Sequence, residues 1–106
     1  VSDIIGFPQK SPSALLTLTF DFSSLSTPGV TLSAAFSSIE VWAGVDPNPS
    51  AVLLGAPTFN GPYAFQQVNN GVNGCIYKIK MLADTNDVPG QALVLFGYLA
   101  IVEDPL

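Results

Sequence analysis

Groups able to do chemistry are few in this chain, and their spacing assembles none of the usual machinery. It contains neither histidine nor arginine, so no Ser-His or Cys-His pair can be built. A Ser-Lys dyad would have to draw on Lys10, Lys78 or Lys80, and no sequence signature surrounds them. Two carboxylate pairs stand close in sequence. Glu103-Asp104 reads as a solvated terminus and Asp84 with Asp87 as a hairpin loop. Asp84-x-Asn86-Asp87 offers oxygen ligands to calcium, yet it lacks the longer loop of a recognisable site. The single cysteine, Cys75, excludes an internal disulfide. With only Lys78 as a basic neighbour it reads as a small buried hydrophobe rather than a reactive thiol. Glycine-rich phosphate loops, zinc spacings and internal repeats are all missing. The expectation is a protein that is not an enzyme and holds no cofactor or metal.

Charge points the same way. Only 11 of the 106 residues are charged, 10% against about 25% in an average globular chain, so the outside must be unusually neutral. A net charge of −5 with three lysines as the only cations argues against nucleic acid and against an anionic membrane surface. The longest apolar runs, such as residues 92–100, fall far short of the roughly 20 residues of a membrane helix. No signal peptide is expected, since Val1-Ser2-Asp3-Ile4-Ile5 lacks a basic start and an apolar core. The length fits one domain able to bury roughly two-thirds of the surface its unfolded chain exposes.

The elements that must position these residues are strands. Nine glycines and nine prolines punctuate runs of Thr, Val, Ile, Phe and Leu, and no stretch sustains a helical period. The organising strand is residues 74–83. There Cys75, Tyr77, Ile79, Met81 and Ala83 share one face, and Lys78 and Lys80 share the other with Ile76 and Leu82. The asparagine- and glycine-rich turn before it ends at Gly74, giving a Gly-x-x-Tyr approach to the strand. That pattern is typical of immunoglobulin-like and fibronectin-like sandwiches, so Tyr77 is expected to be buried with its hydroxyl bonded to the corner at residues 68–74.

In chain order, residues 1–13 read as an extended, proline-punctuated arm and 14–106 as the sandwich. Leu16, Leu18, Phe20 and Phe22 form one apolar face. Leu32, Ala34 and Phe36 lie on one parity and Ile39, Val41 and Ala43 on the other, a phase change that predicts a β-bulge around Ser37-Ser38. Trp42 then falls off the core parity, as an interface anchor or a residue covered by a loop. Asp46 and Pro47 begin a rigid turn over residues 46–50. Short strands are predicted at 51–54, 58–60 and 63–68. In the last strand, residues 91–102, Leu93, Leu95, Leu99 and Ile101 share one face and Val94, Phe96, Tyr98 and Val102 the other. One face fills the core. The other predicts packing into an assembly through Phe96 and Tyr98, or through Leu93 and Leu95 if the parity is reversed, with Trp42, Asp46 and Pro47 as secondary contacts.

Several segments together resemble a known family. They are Leu16-Thr17-Leu18-Thr19-Phe20-Asp21-Phe22, then Val45-Asp46-Pro47-Asn48-Pro49-Ser50-Ala51-Val52-Leu53 with the Gly55-Ala56-Pro57 turn, then Gly71-Val72-Asn73-Gly74-Cys75-Ile76-Tyr77, and the closing Gln91-Ala92-Leu93-Val94-Leu95-Phe96-Gly97-Tyr98-Leu99. Their order along nearly the whole chain is similar to small tailed-bacteriophage virion proteins, the immunoglobulin-like adaptors between tail and fibre. Cys75 and Met81 stand where that family more often has charged or serine residues. The resemblance implies no catalytic residues. It implies an all-β, immunoglobulin- or fibronectin-like antiparallel sandwich of about seven to eight strands. In function it implies a structural adaptor attaching fibres to the tail of a virion, made in the bacterial host cytoplasm. Many copies in a symmetric ring would contact tail, nozzle or fibre subunits. Rival readings are a head-decoration or head-to-tail connector subunit and, from another class, a carbohydrate-binding module using Trp42, Tyr63 and Tyr98.

Overall fold

A computed structural model describes residues 3–7, 9–23, 29–86 and 90–102, with the side chains of residues 3–6 left aside. Seven strands fold into two facing sheets: β1 (Asp3–Gly6), β2 (Leu16–Asp21), β3 (Leu32–Ala43), β4 (Leu53–Asn60), β5 (Tyr63–Val68), β6 (Ile76–Thr85) and β7 (Ala92–Ala100). One sheet has the order β1-β7-β6-β3 and the other β2-β5-β4. Six of these strands pair antiparallel, three to a sheet, and β1 joins β7 in parallel. The sandwich proper therefore has six antiparallel strands, fewer than the seven to eight expected, because the two short strands expected at 51–54 and 58–60 are replaced by the single β4. The alternation of sheets along the chain is that of an immunoglobulin-like sandwich, with the first strand moved to the edge beside the last.

Period-two alternation accounts for the core. Leu18, Phe20 and Phe22 from the β2 side meet Tyr77, Ile79, Met81 and Ala83 of β6 and Leu95 and Leu99 of β7. The arm is tied into the same body. Phe7 packs edge-on against Phe20 with ring centroids 5.3 Å apart, and Lys10 bridges to Ile101. Lys10 is buried, its ammonium donating to the carbonyls of Asn70 at 2.6 Å, Ser11 at 2.8 Å and Pro12 at 3.3 Å.

Two expectations are corrected. The phase change in β3 does not sit at Ser37-Ser38. Pairing slips between Leu32 and Ala34 and again between Val41 and Ala43, leaving Ser33 and Trp42 as the extra residues. The early bulge turns Leu32, Ala35, Ser37, Ile39 and Val41 toward the core and Phe36 outward. Nor is there a strand at 51–54: Pro49–Val52 is a 3-10 turn, and Leu53–Asn60 is one strand that loses register between Leu54 and Thr58. Gly55 and Pro57 mark that break, and Pro57 has no N–H to give a ladder.

Candidate protein-interaction face

The core parity of β7 is settled by the burial of Leu95, Leu99 and Ile101. Leu93 and Leu95 thus face the interior, so the reversed alternative is excluded. Val94, Phe96 and Tyr98 point out of the four-stranded sheet. Register places Lys78 beside Tyr98, Lys80 beside Phe96, and Leu82 between Val94 and Phe36. The result is one continuous apolar and aromatic face with two lysines through its middle.

Trp42 reaches this face because of the second bulge in β3. As an extra residue it has no cross-strand partner, and bulges re-aim side chains. Its ring lies over β6 against Tyr98, centroids 5.1 Å apart and tilted by 55°, while remaining 59% exposed. Phe96 meets Tyr98 edge-on at 6.2 Å. Lys78 sits among them, its ammonium 4.5 Å from the Phe96 ring centre and 5.6 Å from that of Trp42. Glu40 approaches Lys78 at 3.9 Å, a loose and exposed pairing of small energetic weight. Phe36, 55% exposed, extends the face along β3. The sequence pattern gives it the parity of Leu32, and the bulge at Ser33, which has no sequence signal, turns it to the opposite face.

Asp46 behaves differently, while Pro47 beside it is exposed. Tyr77 is fully buried, and its hydroxyl accepts from Val72 N–H at 2.9 Å and donates to Asp46 Oδ2 at 2.7 Å. The other oxygen of Asp46 accepts from Asn48 N–H at 2.9 Å. Asp46 is thus occupied within the chain, joining the β3–β4 connection to the β5–β6 corner. Burial pushes the Tyr77 hydroxyl well above the ordinary tyrosine range, and the Asp46 carboxylate adds to that, while the Val72 N–H works against it. Gly74 makes the corner possible with φ +87° and an N–H donated to Ile101 O at 2.9 Å. Gly44 is required for another reason: a Cβ there would stand 2.7 Å from Cys75 Sγ.

Gln66 carried no reading from sequence. It is wholly buried on β5, accepts from Ser37 Oγ of the facing sheet at 2.6 Å, and donates through Nε2 to Gln67 O at 2.8 Å and Gly55 O at 3.1 Å. The break in β4 frees those carbonyls, and Gln66 satisfies them.

Chemical capacity elsewhere is slight. A shallow depression of about 270 Å³ lies among Ser38, Ile39, Glu40, Lys78 and Lys80, below the roughly 300–1,000 Å³ of small-molecule sites. Among the described residues no group of three or more His, Cys, Asp or Glu side chains could hold a metal, and no helix is long and apolar enough to cross a membrane. Asp87 and the Glu103-Asp104 pair lie outside the described residues. Tyr63 belongs to the three-stranded sheet and does not join Trp42 and Tyr98. No protein-family model, no curated protein and no solved structure matches this chain.

Proposed function

We propose that this chain is a non-enzymatic structural subunit of a tailed-bacteriophage particle, an adaptor that attaches fibres to the tail through protein–protein contacts. The virion setting rests on the sequence resemblance alone. The adaptor role rests on one observation, the outer face of the four-stranded sheet, where Trp42 and Phe36 are exposed beside Phe96 and Tyr98. Large exposed aromatics grouped on one face are the anchors that protein interfaces use. Mass spectrometry and cryo-electron microscopy of particles produced with this chain test the reading. The chain is expected in the tail with Trp42 against a neighbouring subunit, and its absence from purified particles overturns the proposal.

A second reading is favoured by the meeting of Trp42 and Tyr98, which sequence did not bring together. Two tilted rings flanked by Glu40 and Lys78 resemble a platform for a sugar ring. A glycan array on the isolated protein decides it, and binding that vanishes in Trp42→Ser would move the assignment to a carbohydrate-binding module.

A further inference from the structure

We propose that the outer edge of β2 is a self-association edge, at which the β2 strands of two copies of this chain pair antiparallel about Thr19 and join their three-stranded sheets into one. Two hydrogen bonds fix the direction of the backbone groups. Phe22 N–H donates to Pro62 O at 3.0 Å, so by the alternation of an antiparallel ladder the even-numbered residues of β2 are those bonded to β5. On the far side of β5, Asn69 N–H goes to Val52 O at 3.0 Å, which gives the same phase. Leu18 and Phe20 thus spend their N–H and C=O groups on β5. Thr17, Thr19 and Asp21 hold theirs toward the outer edge, where no strand pairs among the described residues.

The other edges are guarded. β4 contains Pro57 and loses register between Leu54 and Thr58, β3 is bulged twice and has β4 packed beside it, and β1 is only 4 residues long. β2 has no proline, lysine, bulge or inward charge, the devices by which sheet edges avoid pairing. Its single charge, Asp21, stands at the end of the strand, with one carboxylate oxygen accepting from Ser23 N–H at 2.9 Å.

A second copy fits this edge because the edge is complementary to itself. Reciprocal bonds require outward-pointing residues to face one another. Only a two-fold at Thr19, the middle one, sets all three against each other within the strand, since one at Leu18 or Phe20 would leave Asp21 or Thr17 opposite a residue beyond its end. Thr19 then faces the partner's Thr19 and each Asp21 faces a threonine, so every outward group is paired and no carboxylates are opposed. Centring on Asp21 would set two carboxylates face to face. Centring on Thr17 would run the pairing past the strand's start at Leu16. Pairing of two short edges covers less than the roughly 1,200 Å² of a stable interface, so the contact is concentration-dependent and gains strength where copies are held close together. It lies on the opposite sheet from the aromatic face and stands whether or not the adaptor reading holds.

Sedimentation across a concentration series, with amide exchange on the same samples, tests it. The mass should rise from 11.1 kDa toward twice that value. Exchange of the Thr17, Thr19 and Asp21 amides should slow by roughly tenfold or more as it does so, while Leu18 and Phe20 stay protected throughout. Thr19→Pro removes an outward N–H and no bond to β5, a place where an edge strand tolerates proline, and it should remain monomeric. A chain monomeric up to millimolar concentration overturns the proposal. So does a dimer that survives Thr19→Pro, including one lost instead in Trp42→Ser, which would belong to the outer face. If Thr19→Pro does not fold, the wild-type exchange decides alone, and unprotected amides in a dimer refute the edge.

Discussion

Tyr77 closes the corner with one hydroxyl used twice, and its removal separates two kinds of cost. Tyr77→Phe keeps the ring but leaves the Val72 N–H without its acceptor and Asp46 Oδ2 without its donor. A loss of about 1–2 kcal/mol is expected, the net worth of a hydrogen bond plus a stranded buried group. Tyr77→Ala also empties the core and should cost about 3–5 kcal/mol, and denaturant midpoints measure both. A value for Tyr77→Ala within error of wild type would contradict the burial. The same hydroxyl predicts an alkaline limit. Its proton is held more tightly in the folded chain than in the unfolded one, whose tyrosine titrates near 10.0. Above that pH the unfolded state binds fewer protons, so the stability Tyr77 contributes is intact below about pH 10 and falls as pH rises further, by up to about 1.4 kcal/mol per unit. Stability curves of wild type and Tyr77→Phe should therefore converge above pH 10. Parallel curves would assign the alkaline loss to other groups.

Among the elements, β4 is the least regular, and Gln66 compensates for it. Gln66→Leu strands Ser37 Oγ and the carbonyls freed at the break, and should destabilise by about 2–3 kcal/mol despite making the core more apolar. Ser37→Ala combined with it should cost less than the sum, since the two residues share one bond, and a double-mutant cycle on denaturation data reads the difference. Strict additivity would mean the inter-sheet bond contributes nothing. These elements divide by what sequence can carry. β2 and β6 were legible, inner and outer faces alike, because each keeps a single period from end to end. β3 was not: one extra residue at Ser33 inverts the phase of everything after it, and serine in a strand carries no mark of a bulge. Phe36 consequently shares the parity of Leu32 in the sequence pattern yet faces outward in the fold. Trp42 falls off the core parity and lies outside, and burial of Leu95 and Leu99 decides between the two parities of β7 in favour of Phe96 and Tyr98 facing out. Gln66 stayed hidden because its partners are carbonyls exposed by a break elsewhere in the chain. Lys10 stayed hidden because its acceptors include Asn70, a residue distant in sequence.

At the scale of the whole molecule, both sheets expose large apolar side chains, and they differ in where aromatic rings meet one another. The three-stranded sheet shows Thr17, Thr19 and Asp21 on the outside of β2, polar groups that water satisfies, and exposes Leu54, Phe59 and Tyr63 on β4 and β5. The four-stranded sheet gathers Trp42, Phe96 and Tyr98 around the half-buried Lys78, with the exposed Lys80 beside Phe96, on a molecule whose net charge is −5. Burying Trp42, Phe96 and Tyr98 against a neighbour is worth roughly 1.5–3 kcal/mol each on area grounds, before the cost of association is subtracted. Within the free chain those rings contribute much less, about 0.5–1.5 kcal/mol for the Trp42–Tyr98 contact. The asymmetry defines a decisive variant. Trp42→Ser with Tyr98→Ser should fold with a denaturation midpoint close to wild type, since neither position carries core packing, yet should be depleted from assembled particles by roughly tenfold or more, the equivalent of about 1.4 kcal/mol of lost contact. Quantitative mass spectrometry of purified particles, normalised to a major tail protein, gives the occupancy. Wild-type occupancy of the variant would show that the aromatic face is not the attachment surface. A variant that instead lost several kcal/mol of stability on its own would show that the rings serve the fold of the single chain rather than a neighbour.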